Sequence, residues 1–268
     1  MIDWNRTVLP VLRLGDGESV PEAFGSAVVL NVKGQYFAVT AAHVLEGEVD
    51  GSLWLPGNDS RIMVLPERRF TTLKDAADQA SVTTDEIDIA LVPLDENDVK
   101  NLDPDFVVTP IEWVSTEPPD PASFYTFVGY PASKFKVDYP RRKGGVAKYV
   151  TISGGLAKPE RWTLASKTTS THIVLFFDKK KAVNEQGARA IPPDPHGMSG
   201  AAVWVNAVGS DKEPRLAGIG IEYRATEFCL VATRIGCVVE AIRAIRPDLS
   251  GYLPRMPDND MGFYRSEE

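Results

Sequence analysis

Cysteine is scarce in this sequence, since only Cys229 and Cys237 occur among its 268 residues. This pair could form one disulfide at most, so the chain cannot be rich in disulfides, and two reduced, buried thiols are the expected state. The N-terminal residues also lack the basic segment followed by an apolar segment that marks a secretory signal. Together these features predict a cytoplasmic protein.

The sequence also lacks an excess of basic residues and long apolar runs. Lysine and arginine number 29 against 37 aspartates and glutamates, which gives a formal net charge of −8. No basic stripe is visible, so neither nucleic acid nor an anionic membrane surface is an expected partner. No stretch approaches the roughly 18 consecutive apolar residues that a membrane-spanning helix needs.

The dominant pattern is a series of short apolar or alternating segments separated by turn residues, which is typical of an all-β protein. The first series of predicted strands comprises residues 7–14, 25–32, 36–40, 51–55, 62–66 and 88–94. The second comprises residues 123–130, 146–153, 161–165, 171–178, 201–206, 216–223 and 227–233. Residues 73–84 are polar and are expected to form a surface loop or a short helix. Apolar residues at helical spacing from Ile235 to Ile245, ahead of Pro247, predict one C-terminal helix.

A proline-rich segment, 116–121, separates the two series. Pro118, Pro119 and Pro121 have no backbone N–H for a strand ladder, and each restrains the residue before it. We therefore predict two domains, residues 1–115 and 122–268. Hydrophobic residues make up 43% of the chain, enough to build a full core.

The stretch Gly197-Met198-Ser199-Gly200 is the first candidate for a functional site. Ser199 lies between glycines and precedes an apolar run that predicts a strand, so it should occupy a tight turn. Glycine lets consecutive backbone N–H groups approach one point closely. A hydroxyl beside two such N–H groups offers a nucleophile and an oxyanion hole, as acyl transfer requires. Alone, this motif is only weakly specific.

Two further segments present groups that could activate a serine. His43 follows the predicted strand 36–40 and a turn of small residues, and Asp88 stands at the mouth of the buried strand 88–94. The order along the chain is therefore His43, Asp88, Ser199. Because unrelated folds reach the same triad in different chain orders, this order discriminates between them.

Two of those orders do not fit the sequence. An α/β-hydrolase has its histidine after the serine, whereas all three histidines here precede Ser199: His43, His172 and His196. A subtilisin-like order needs an acid well before the histidine, where Asp3 and Asp16 are poor candidates.

Three segments resemble the signatures of the trypsin-like serine peptidases: Thr40-Ala41-Ala42-His43, Asp88-Ile89-Ala90-Leu91 and Gly197-Met198-Ser199-Gly200. Their order and spacing fit that family over nearly the whole chain. The resemblance implies two antiparallel six-stranded β-barrels and a C-terminal helix. The N-terminal barrel would carry His43 and Asp88, and the C-terminal barrel would carry Ser199. It also implies a serine endopeptidase that acts on protein or peptide substrates without a cofactor or metal.

In this reading Ser199 attacks the scissile carbonyl, His43 is the general base and Asp88 orients it. The backbone N–H groups of Gly197 and Ser199 would form the oxyanion hole. The open alternatives are Asp85 or Glu86 as the acid, a merely structural His43, a functional His196, and His172 as a pocket residue rather than a strand-end residue.

Met198 departs from the zymogen-activated secreted members, which carry at this place an aspartate that pairs with a new N-terminus. Methionine cannot make that pair, so activation by N-terminal cleavage is not expected. With few cysteines, the chain looks more like a bacterial-type intracellular member. The preceding loop, 178–195, has three prolines and few apolar anchors, and Lys179-Lys180-Lys181 within it is expected to be solvated. We expect this loop to need substrate or a protein partner to become ordered.

Substrate-binding residues follow from the same resemblance. Residues 221–223 would pair with the substrate backbone. Pro193 falls where trypsins carry the acid at the pocket base, and Leu230 would fill the pocket where many relatives have glycine. We therefore expect a shallow pocket for a small or medium apolar side chain of the substrate. In the alternative, Asp194 or Glu222 would bind a basic side chain. The residues assigned to substrate are Pro193, Ile221, Glu222, Tyr223 and Leu230.

Two classes of function remain open from the sequence. The first is an active endopeptidase, held in check by a regulatory protein partner. The second is a catalytically silent trypsin-fold binding or scaffold module, in which the triad is present but the oxyanion loop is collapsed.

Overall fold

The computed structural model describes residues 3–13, 21–46, 53–58, 62–64, 70–71, 87–137, 145–184, 186–207 and 213–257. The strands of the first half are β1 (Val8–Arg13), β2 (Glu22–Val32), β3 (Gln35–Ala41), β4 (Leu53–Pro56), β5 (Ile62–Val64), β6 (Phe70–Thr71), β7 (Ile89–Leu94) and β8 (Thr109–Pro110). Those of the second half are β9 (Ser123–Gly129), β10 (Phe135–Val137), β11 (Gly145–Ala147), β12 (Val150–Gly154), β13 (His172–Phe176), β14 (Ala202–Ala207), β15 (Arg215–Arg224) and β16 (Cys229–Arg234). The α-helices are α1 (Ala42–Glu46), α2 (Glu96–Lys100), α3 (Pro159–Leu164) and α4 (Ile235–Ile245).

The first eight strands form one sheet, in the order β5-β4-β1-β2-β3-β7-β6, with β8 beside β2. Neighbours are antiparallel except for the parallel pair β2 and β8. The long strand β2 is buried at consecutive positions from Gly25 to Leu30, so both of its faces are covered. Such a strand reads as a continuous apolar run rather than as an alternating one.

The second sheet runs β12-β9-β14-β15-β16-β13. Just beyond β12, Leu156 forms a bridge with Leu175 of β13, and Ala157 N donates to Val174 O at 2.7 Å. The two edge strands of this sheet therefore meet, which closes it into a barrel and removes its exposed edges. Strands β10 and β11 pair separately as a two-stranded sheet.

The predicted all-β architecture of two antiparallel barrels with a C-terminal helix is confirmed. The first sheet has eight strands rather than six, because the short β6 and β8 extend it. Helix α4 covers the predicted segment, buries Val238, Val239 and Ile242, and ends before Pro247. The division into domains at 116–121 stays a prediction.

One predicted strand, 161–165, is wrong, because these residues belong mainly to helix α3. Pro159 lies in the first turn of α3 and Glu160 adds an acidic residue there, both of which favour a helix start. Trp162 is buried and its Nε1 donates to Ala157 O at 2.9 Å. The predicted strand 146–153 is divided between β11 and β12, and the predicted loop 73–84 lies outside the described residues.

Both cysteines are buried and reduced, as expected. Burial raises the pKa of the Cys229 thiol to about 11 and that of Cys237 to about 12, so both remain protonated at neutral pH. Among the described helices, none is long and apolar enough to cross a membrane.

A buried arginine joins the proline-rich segment to the second barrel. Arg234 is 2% exposed and donates to three backbone carbonyls, those of Thr169 (3.2 Å), Ser170 (2.8 Å) and Thr116 (2.6 Å). Burial lowers the pKa of the guanidinium, whose charge is compensated by hydrogen bonds to these carbonyls.

We expect Arg234→Met to lower the free energy of unfolding by about 3 kcal/mol, because it leaves the carbonyls of buried Thr116 and half-buried Ser170 without this donor. Urea titration followed by tryptophan fluorescence measures this change. Arg6→Met is the control, since Arg6 pairs with Asp105 on the surface and should cost less than about 1 kcal/mol. Equal losses in the two variants would contradict the assigned role of Arg234.

Candidate active site

His43 lies on helix α1, immediately after strand β3. Ala41 and Ala42 are fully buried at the junction, so their small side chains let the chain turn tightly from strand to helix. His43 is the second residue of α1, and its side chain is 45% exposed at the surface of the first sheet. The small residues before it therefore present the imidazole to solvent.

Asp88 lies directly before strand β7 and adopts a positive φ of 49°. Aspartate tolerates this left-handed conformation better than most residues do. Its backbone carbonyl accepts from Ala42 N at 3.0 Å, and its Oδ1 accepts from His43 N at 3.0 Å. From the second barrel, the Thr233 hydroxyl donates to the carbonyl of the adjacent Ile87. Both sheets thus hold the acid in position.

Ser199 lies on the turn that precedes strand β14. Its carbonyl accepts from Ser26 N of the first sheet at 2.7 Å, and Gly200 N donates to Gly220 O of the second at 2.7 Å. Gly200 has a φ of 89°, and a Cβ there would stand 1.7 Å from Ser26 O. Only glycine fits this close approach, which explains the Ser-Gly pair of the motif.

The structure brings His43, Asp88 and Ser199 together. His43 Nδ1 is 2.7 Å from Asp88 Oδ2, and His43 Nε2 is 2.9 Å from Ser199 Oγ. A carboxylate at Nδ1 favours the tautomer that carries its proton there, which leaves the Nε2 lone pair to accept the serine proton. Ser199 Oγ also lies 3.4 Å from the carbonyl oxygen of Ile221.

The segment His196–Ser199, which we call the oxyanion loop, contains two backbone N–H groups that meet no acceptor among the described residues. In the part of the chain that the structure describes, neither Gly197 N nor Ser199 N donates a hydrogen bond. The carbonyl of His196 accepts from Ala132 N at 2.9 Å. Because C=O and N–H point in opposite directions across a trans peptide, this bond directs the Gly197 N–H away from Ala132. Unpaired donors of this kind can stabilise developing negative charge.

A cleft of about 510 Å³ opens over these groups. Three of the residues assigned to substrate, Ile221, Glu222 and Tyr223, line it, and that they bind substrate stays a prediction. The cleft is also lined by Phe24, Lys167 and Arg224, which the sequence did not single out.

Pro193 and Leu230 do not line this cleft, contrary to their assignment from the sequence. Leu230 is 2% exposed and packs in the apolar core of the second barrel, opposite Leu175 of β13 and Tyr223 of β15. Pro193 is half-buried beside Asp194, and it is Asp194 that reaches the cleft. Leu230 therefore belongs to the core.

Both carboxylates proposed to read a basic side chain already pair with cations. Asp194 Oδ2 is 2.7 Å from Lys179 Nζ, and Glu222 Oε1 is 2.8 Å from Arg224 Nε. The hydrogen bond from Lys179, followed by that from His196 N, holds the pKa of Asp194 below its ordinary value. Lys179 is thus an ion-paired residue rather than a solvated one.

The structure places two of the competing candidates, His196 and His172, in other contacts. Asp85 and Glu86 lie outside the described residues. His196 lines the cleft, but the imidazole at Ser199 Oγ is that of His43. His172 is buried at the start of β13 with its Nδ1 2.7 Å from Thr171 Oγ1, the predicted strand-end position.

Met198 points away from solvent and is 4% exposed. It packs in the apolar core of the second barrel together with Phe127 and Ala201. An apolar contact thus anchors the residue before Ser199. Among the described residues, no group of three or more His, Cys, Asp or Glu side chains could hold a metal ion.

No protein-family model matches this sequence, and no curated protein matches it. Among solved structures, the chain is similar to the crystal structure of the scabies mite inactivated protease paralogue S-D1, at 13% identity and a TM-score of 0.55. The match covers 94% of this chain and 95% of that one. At this identity the match bears on the fold alone, so membership of a bacterial-type intracellular group stays a prediction. The chain has the trypsin-like fold.

Proposed function

We propose that this protein is a serine endopeptidase that hydrolyses peptide bonds through an acyl-enzyme on Ser199. The observation that carries the proposal is the continuous pair of hydrogen bonds from Asp88 through His43 to Ser199, at 2.7 and 2.9 Å. Such a chain of acid, base and hydroxyl activates a serine that would otherwise be a poor nucleophile.

In the first step, Ser199 Oγ bonds to the carbonyl carbon of the scissile peptide while His43 Nε2 takes the hydroxyl proton. Asp88 stabilises the imidazolium that forms. The tetrahedral intermediate then breaks its C–N bond, and His43 gives the proton to the leaving amine. In the second step, water loses a proton to His43 and attacks the ester carbonyl carbon. The bond from that carbon to Ser199 Oγ then breaks, His43 returns the proton to Oγ, and the acid product leaves.

The two unpaired donors of the oxyanion loop support this proposal over a catalytically silent module. During both steps the carbonyl oxygen gains negative charge, which Gly197 N and Ser199 N would stabilise. The silent alternative requires a collapsed loop, whereas the bond from Ala132 N to His196 O holds this peptide in one orientation.

For specificity, we propose that the substrate backbone pairs with residues 221–223 and that the pocket takes a small or medium apolar side chain. A basic side chain would find both nearby carboxylates, Asp194 and Glu222, already neutralised by Lys179 and Arg224. To bind a basic side chain, Asp194 or Glu222 would have to leave its present ion pair, and the favourable free energy of that pair would be lost. Cleavage of a peptide library measures this preference.

A fluorophosphonate probe tests the proposed function directly. We expect the unmodified protein to become labelled once, on the peptide that contains Ser199, because only an activated hydroxyl attacks the probe. His43→Ala should abolish labelling, while His172→Gln serves as the histidine control away from the cleft. A folded protein that is not labelled would favour the silent binding module instead.

A further inference from the structure

The segment that leads into the oxyanion loop has little backbone support. Within the described part of the chain, no backbone–backbone hydrogen bond involves residues 191–194. Pro192, Pro193 and Pro195 have no N–H to donate, and Ile191 is 90% exposed. The position of this segment must therefore come from side-chain contacts.

Asp194 provides two such contacts through a single carboxylate. Its Oδ1 accepts from the backbone N–H of His196 at 3.1 Å, and its Oδ2 accepts from Lys179 Nζ at 2.7 Å. The first bond ends on the first residue of the oxyanion loop. The second fixes the carboxylate, which could otherwise rotate away, since the Asp194 side chain is 55% exposed.

Lys179 is itself held against the second barrel. Its Nζ lies 5.8 Å from the centre of the Tyr223 ring, and that ring packs edge-on against buried Phe177 at 5.7 Å. An ammonium group over an aromatic ring is stabilised by the ring's negative face. The pair of Lys179 and Asp194 therefore ties the unsupported segment 191–194 to a rigid part of the barrel.

His196 is consequently held from both sides. Asp194 accepts from its N–H, and Ala132 N donates to its carbonyl. That carbonyl belongs to the peptide that also carries the Gly197 N–H. If His196 turned, the Gly197 donor would turn with it and leave the cleft.

We propose that Lys179 and Asp194 are positioning residues, whose ion pair keeps the oxyanion loop in the orientation that aims the Gly197 N–H into the cleft. This inference rests on the proposed peptidase function of the site and deepens it. Some contact other than an ion pair of residue 198 must order this loop, because Met198 cannot form the ion pair that orders it in zymogen-activated relatives. The pair of Lys179 and Asp194 supplies such a contact. Neither positioning residue touches the reacting atoms.

The first measurement is amide hydrogen exchange across residues 191–199, which needs no catalytic activity. In Lys179→Met we expect exchange in this segment to become roughly tenfold faster, because the carboxylate that accepts from His196 N is released. Lys181→Met is the matched control, since it removes the same charge from an exposed lysine of the same loop. Lys179→Arg should restore slow exchange. Equal exchange in the two methionine variants would overturn the proposal.

The second measurement separates positioning from substrate recognition. We expect Lys179→Met to lower kcat about tenfold at unchanged KM. Its affinity for a peptidyl trifluoromethyl ketone should fall in parallel, because the ketone adduct places an oxyanion in the hole. A raised KM for one class of side chain at unchanged kcat would make Lys179 a specificity residue and contradict the proposal.

A double variant tests whether the two residues act as one unit. Lys179→Met with Asp194→Asn should lose no more ketone affinity than Lys179→Met loses alone, since both changes remove the same interaction. Additive losses would overturn the coupling. An unmodified protein that neither cleaves peptides nor reacts with a fluorophosphonate would refute the peptidase function, and the exchange measurement would still decide whether the pair orders the loop.

Discussion

Ser199→Ala is expected to lower peptide turnover by a factor of about 10⁶ and to leave the fold intact. The hydroxyl is the only atom lost, and it contacts the His43 imidazole and the Ile221 carbonyl at the surface of the cleft. Both partners line the open cleft, so the free energy of unfolding should change little. Turnover of a fluorogenic peptide and a urea titration measure the two effects.

Ser153→Ala is the matched control, because it also removes one exposed hydroxyl, which bonds to Thr126 in the second barrel. We expect it to retain full turnover. Turnover by Ser199→Ala at the level of the unmodified protein would rule out the proposed nucleophile, provided that both variants unfold at the same urea concentration.

Asp88→Asn is expected to lower turnover by about 10⁴ with little effect on folding. Asparagine tolerates the positive φ of this position as aspartate does, and its amide oxygen can still accept from His43 N. Its NH₂ group would then face His43 Nδ1 and favour the tautomer with the proton on Nε2. That nitrogen could no longer accept the proton of Ser199.

Asp85→Asn and Glu86→Gln are the controls for Asp88→Asn. Both acids are close to Asp88 in sequence, and each was a candidate for the same role. We expect both variants to keep turnover within a few-fold of the unmodified protein. A large loss in either one, with Asp88→Asn active, would move the acid to that residue.

Much of the fold could be predicted because its signals are local. The alternation of short strands, the prolines at 118–121 and the helical spacing after Ile235 each depend on a few neighbouring residues. The triad could be predicted for a similar reason, because Ala41 and Ala42 before the histidine and Gly200 after the serine are needed where the backbone packs tightly.

What the sequence could not predict depends on contacts between distant residues. Lys179 and Asp194 are 15 positions apart in the sequence. A run of three lysines is typical of a solvated loop, and only the folded chain places the Asp194 carboxylate beside Lys179. The resemblance assigns Leu230 to the pocket from its place on the strand after 216–223, but the register of β16 against β13 turns it into the core. Helix α3 escapes prediction because its six residues make fewer than two turns, too few to show the helical period.

The bond between Ser26 N and Ser199 O has a consequence for synthesis of the chain. During translation His43 and Asp88 are synthesised before Ser199, the proposed nucleophile, which follows Asp88 by more than 100 residues. In the folded protein its turn packs against the first sheet, where Gly200 lies close to Ser26. Under the proposed function, a nascent chain, or a fragment that lacks the first sheet, therefore holds no assembled triad and would not cleave neighbouring proteins before the two sheets come together.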